Sequence, residues 1–149
     1  MLTSELKAII AGNPLGFVAS VNEDGTPNLS PKGTFVILDD AHLGFGHIRS
    51  PRTMANIAKR PAVEINFLDV LARKAARVAG VCEVVERGSA GFDALYPAFE
   101  SWGEYAKIMK ALVRVRITRA SLVLSPAYDL GHTEDELRTQ YRAKFAGRD

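Results

Sequence analysis

The chain of 149 residues is 47% apolar and 24% charged, the composition of one globular domain with no long disordered tract. Its 19 Lys/Arg against 17 Asp/Glu leave a net charge of only +2, which excludes the broad basic surface that bulk nucleic-acid binding requires. No apolar run approaches the ~18 residues of a membrane helix, and residues 1–12 lack the basic start and apolar stretch of a signal peptide, so a soluble, cytoplasmic protein is expected.

Residues 4–11 carry Leu6, Ile9 and Ile10 on one helical face, with Thr3 as N-cap, and the segment stops before Gly12-Asn13-Pro14. Residues 16–21 then read as a strand. Asn22-Glu23-Asp24-Gly25 supplies hairpin chemistry, and a second strand covers residues 26–30, ending near Pro31. Residues 34–38 continue extended to a turn at Asp39-Asp40, and residues 42–47 form the next strand.

Ser50-Pro51-Arg52-Thr53 is the clearest helix start, with Ser50 as cap, Pro51 at the first helical position, and Met54, Ile57 and Ala58 as the apolar face. Strands follow at residues 63–67 and at about 74–85, the second of them bent or bulged at Gly80. Cys82 cannot form an internal disulfide and, within VAGVCEVV, reads as a small buried hydrophobe. Two short helices are expected at residues 89–95 and 100–111, separated by Pro97. Val113, Val115 and Ile117 alternate with Arg114, Arg116 and Thr118 in a half-buried strand, which residues 122–124 extend. Leu137, Tyr141 and Phe145 recur at helical spacing, so the tail, at about 133–146, is an amphipathic helix docking on the body or on a partner. The pattern describes a single domain, residues 1–149, of the all-β or α+β class, mostly antiparallel with short helices outside.

Two clusters carry chemistry. In His47-Ile48-Arg49-Ser50-Pro51-Arg52-Thr53 a strand ends and a helix begins, bringing free amides, guanidiniums and hydroxyls together, a combination suited to a phosphate. Asn28, Ser30 and Lys32 share one strand phase and form a polar wall. Arg73-Lys74, opening the long strand, is a third basic point.

Three stretches together resemble the FMN-binding split-barrel family related to pyridoxamine 5'-phosphate oxidase: GFVASVNEDGTPNLSPKGTFVILDD at residues 16–40, HLGFGHIRSPRTMANIAKRPAVEINF at 42–67 and LARKAARVAGVCEV at 71–84. The resemblance implies an antiparallel split β-barrel and a homodimer with FMN at the interface. It implies the flavin ring against residues 28–32, with Asn28, Ser30 and Lys32 facing it. The phosphate would lie near His47, Arg49, Ser50, Arg52 and Thr53, with Arg73 and Lys74 approaching from the second subunit. The implied activity is an FMN-dependent oxidoreductase acting on a small molecule, with a non-enzymatic flavin carrier or redox sensor as the alternative and a deazaflavin as a possible replacement for FMN. The family's Ser-Arg-Lys run is here interrupted by Pro51, and the carboxy-terminal tryptophan and arginine-rich strand of the true oxidases is absent, which argues against vitamin B6 phosphate as substrate.

Overall fold

The computed structural model describes residues 1–148. Helix α1 (Ser4–Gly12) is followed by strands β1 (Gly16–Val21), β2 (Pro27–Lys32), β3 (Phe35–Asp39) and β4 (His42–His47). Helix α2 (Pro51–Lys59) leads into β5 (Ala62–Asp69) and β6 (Lys74–Glu86). Next come α3 (Ala90–Leu95), a 3₁₀ segment (Tyr96–Trp102), α4 (Glu104–Lys107), β7 (Ala111–Leu124) and α5 (Glu134–Phe145).

Among the described residues the strands form one antiparallel sheet in the order β2-β1-β5-β6-β7-β4-β3. The sheet is open, and this corrects the split barrel expected from the resemblance. No ladder joins its two edges, β2 and β3, although only Gly33 and Thr34 separate them in the chain. Local chemistry explains why. Pro27 and Pro31 remove amide donors from β2, which confines it to an edge. Thr34 turns the chain toward β4, its Oγ1 donating to the Gly46 carbonyl at 2.9 Å and accepting from the Gly46 amide at 3.0 Å. On the β3 edge the Trp102 indole donates to the Phe35 carbonyl at 3.2 Å.

The sheet curls far enough for side chains, rather than backbones, to meet across the gap. Phe35 of β3 packs edge-on against Phe67 of β5, with ring centroids 4.7 Å apart. Both rings belong to the main core, which α1 covers with Leu6, Ile9 and Ile10. Burial of each such side chain contributes about 1.5–3 kcal/mol. A second core, of Phe92, Leu95, Phe99, Met109 and Leu112, sits beneath the helical insert between β6 and β7.

Thr3 caps α1 as expected, and Gly25 takes its turn with φ +83°. The pairing of β6 with β7 shifts register between Ala79 and Gly80, so the expected bulge is present. Cys82 is only partly buried, yet burial pushes its thiol up to about 12. Three expectations are corrected. β2 runs through Pro31, which an edge strand tolerates. The helix expected at residues 100–111 shrinks to α4, because Gly103 adopts φ +57° and ends the 3₁₀ segment. Of that expected helix only Ala111 joins β7, in which the stretches expected at residues 112–118 and 122–124 form a single strand of 14 residues.

Candidate functional site

The inward phase of β2 carries Asn28, Ser30 and Lys32, as the alternation predicts, and α2 lies across their end of the sheet. Helix α2 buries Ile57 and packs Met54 partly on the core as expected, but Ala58 is exposed and the polar Thr53 and Asn56 are buried in its place. A polar seam accounts for the difference. Asn56 Nδ2 donates to Ser20 Oγ and to Asn22 Oδ1, both at 3.0 Å, which ties α2 to β1 and to the turn after it. Asn28 Nδ2 reaches the same Ser20 oxygen at 3.3 Å and Thr53 Oγ1 at 3.4 Å.

Lys32 is the centre of the site. Its residue is 7% exposed, and its ammonium donates to Ser50 Oγ at 2.5 Å and to Ser30 Oγ at 3.3 Å. The Phe45 ring lies 5.5 Å away. Among the described residues no carboxylate pairs with it. Burial of the charge accordingly lowers Lys32 to about 8. His47 Nδ1 meets the same Ser50 oxygen at 3.3 Å. Burial, then the nearby Lys32 and Lys110 charges, hold the imidazole below its ordinary value, with Glu86 acting in the opposite sense.

Ser50 does not cap α2, contrary to the sequence reading. Its side chain turns to Lys32 and His47 and makes no hydrogen bond to the helix. Pro51 has no amide hydrogen, so the first amides of α2 stand without a side-chain acceptor beside a buried cation. A cleft of about 250 Å³ opens there, lined by Lys32, Gly33, Thr34, Gly46, Arg49 and Ser50 among others. It is smaller than the ~300–1,000 Å³ of pockets that enclose whole ligands.

Asn28, Ser30, Lys32, His47, Ser50 and Thr53 are therefore joined along β2 and the start of α2, with Arg49 exposed at the cleft. Arg52 is exposed on α2 outside the cleft lining, its charge acting on Asp24 of the β1–β2 turn. Arg73 and Lys74 lie elsewhere in this chain. Lys74 pairs with Glu134 at 2.8 Å and Glu5 at 2.9 Å, contacts that raise its affinity for its proton. Arg73 takes φ +57° and stacks over Tyr141 at 4.5 Å. Ser20 and Thr34, both buried, belong to the site but were not legible as such. The signal for Ser20 was a hydroxyl on the inward phase of the apolar run FVASV.

A family model described as pyridoxamine 5'-phosphate oxidase matches residues 2–128, so the chain belongs to that family, a flavin-associated, oxidoreductase-like group. Helix α5 lies outside the matched segment. HupZ of Group A Streptococcus is 27% identical, with a TM-score of 0.71 over 84% of this chain and 96% of that one. An FMN-binding protein of Syntrophomonas wolfei is 14% identical, with a TM-score of 0.67, covering 80% of this chain and 84% of that one. General Stress Protein 26 of Bacillus anthracis is 18% identical, with a TM-score of 0.64, covering 80% and 91%. The last two likenesses show the fold alone. No curated protein matches the chain. Among the described residues no helix is long and apolar enough to cross a membrane.

Proposed function

We propose that this chain is an FMN-dependent oxidoreductase for a small molecule, and that it holds the flavin by its phosphate at the Lys32–Ser50 end of the sheet. One observation carries the reading: Lys32 is a buried ammonium bonded to two serine hydroxyls and to no carboxylate. A buried charge without a counter-charge is unfavourable, and an anion seated beside it offsets that penalty. The uncapped start of α2 would offer amides to the same anion, and Arg49 lines the cleft. Bound FMN would supply the redox chemistry, while these residues hold and orient it. Asn28 and Ser30 line the wall along which the rest of the cofactor would extend.

A cleft of about 250 Å³ leaves the ring outside it. A homodimer whose second chain covers the ring completes the reading, and a small-molecule substrate would enter beside it.

The test is an absorbance titration of the purified protein between about 300 and about 550 nm, with FMN and with riboflavin, which lacks the phosphate. The expected outcome is a shifted FMN spectrum and affinity for riboflavin lower by at least about tenfold, roughly the value of one charge-assisted hydrogen bond. Equal affinity for the two would overturn phosphate anchoring. No binding of either would overturn the flavin assignment.

A further inference from the structure

We propose that at alkaline pH the anion site binds its ligand together with a proton, which Lys32 takes up when the phosphate arrives. The inference rests on the reading of this site as a phosphate seat and concerns how that seat is regulated. Its basis is a directed chain of hydrogen bonds. Lys32 Nζ donates to Ser50 Oγ at 2.5 Å, and His47 Nδ1 lies 3.3 Å from the same oxygen. The Ser50 hydroxyl hydrogen can point to a neutral His47 or, when Lys32 has lost its proton, back to the amine. Lys32 thus has a hydrogen-bond partner in both charge states, and the site tolerates the neutral form when it is empty.

Burial opposes the charge, and no acid offsets it. From β2 the neighbour is the Ser30 hydroxyl, from β4 the Phe45 ring and His47, and from the turn before α2 Ser50 and Arg49. Lys110 and Glu86 act on His47 with opposite signs. None of the groups facing Lys32 is an acid. Burial already lowers it to about 8, so a phosphate, whose second ionisation lies near about 6 and leaves it a dianion at higher pH, restores the proton. The balance is simple: one proton moves from solvent to the Lys32 nitrogen as the anion enters, and no bond of the ligand changes.

The sign follows from linkage. Below about pH 8 the free protein already carries the proton and affinity is flat. Above it the proton must be supplied from solvent, so the dissociation constant rises by up to about tenfold per pH unit. His47, held low, does not titrate over this range.

The experiment is FMN titration of the full chain from about pH 7 to about pH 9.5, for the wild type and for Lys32→Arg. Calorimetry near about pH 9 in two buffers of different ionisation enthalpy then counts protons taken up. The wild type is expected to show the rising limb and to absorb close to one proton per FMN. Lys32→Arg, whose guanidinium stays charged, is expected to bind with a flat profile. A flat wild-type profile, no proton uptake, or an unchanged slope in Lys32→Arg would each overturn the proposal. FMN failing to bind the wild type at any pH would instead overturn the phosphate-seat reading beneath it. Proton uptake is measured on the wild type alone, so the proposal stands or falls even if the arginine variant does not fold.

Discussion

The ring of Phe35, on the β3 edge of the sheet, lies over Gly16 of β1, near the opposite edge. A Cβ built on Gly16 would fall 2.5 Å from Phe35 Cε2 and 2.7 Å from Phe67 Cε1. Both rings are buried in the main core, so neither can swing aside. Gly16→Ala is therefore expected to destabilise the protein by about 1–3 kcal/mol through overpacking. At Gly33 nothing lies within 4 Å of such a Cβ, so Gly33→Ala is the matched control. Urea denaturation of the two variants checks the difference, and equal midpoints would show that the edges are not packed on each other.

This contact also shows where the sequence was legible. Elements set by local chemistry were readable: Thr3 caps α1, and the turn at residues 22–25 closes on Gly25. The open sheet was not, since the packing of Phe35 on Gly16 joins residues distant in the sheet without any local signal. Ser50 was misread for a related reason. A serine before Pro51 satisfies every local rule for a cap, but Lys32, 18 residues earlier in the chain, takes its hydroxyl. The inward phase of Asn28, Ser30 and Lys32 was legible because period-two alternation needs no partner to be read.

Lys32 makes function and stability oppose each other. In the ligand-free protein it is a buried cation with hydroxyl partners only, so Lys32→Met, which keeps the apolar stem and removes the charge, is expected to raise stability by about 1–3 kcal/mol and to abolish FMN binding. The folded value of about 8 lies below the ordinary 10.5. Between those values the unfolded chain holds more protons, so wild-type stability rises with pH across that window and is flat with respect to this group below it. Thermal denaturation of both proteins from about pH 7 to about pH 10 should show the rise only in the wild type. A less stable methionine variant would mean that the Lys32–Ser50 hydrogen bond outweighs the burial of the charge.

Helix α5 is held to the end of β5 by Arg138, whose Nη2 donates to Asp69 Oδ2 at 2.6 Å and to Glu134 at 2.9 Å. Burial works to raise Asp69, but the amide of Ala72, the Arg138 guanidinium and the amide of Leu71 outweigh it and hold the carboxyl below its ordinary value. Its contribution is complete above about pH 4 and is lost as pH falls through the lower folded value. Arg138→Ala is expected to weaken the docking of α5 by about 1 kcal/mol and to speed proteolysis within residues 129–148 while the body stays intact. Leu137 is buried beneath the helix and keeps the effect partial. Cleavage rates identical to wild type would show that Leu137 alone secures α5.

The outer face of the sheet bears on the proposed homodimer. Phe17 is 37% and Leu29 65% exposed, and Phe17 stands directly opposite Asn66 across the β1–β5 ladder. Asn66 Oδ1 is buried yet has no hydrogen-bond partner. A cleft of about 510 Å³ joins these residues to Glu64 and Arg77. An apolar patch rimmed by a charged pair and holding an unsatisfied amide oxygen has the makeup of a self-complementary interface. If a second copy covers it, Phe17→Asp combined with Leu29→Asp places like charges in that contact, and light scattering should give a dimer mass for the wild type and a monomer mass for the variant. Circular dichroism should remain native, because neither side chain enters the core. FMN affinity should fall with the dimer if the partner encloses the ring, and a wild-type monomer that binds FMN as tightly as the proposal requires would remove the need for a second chain.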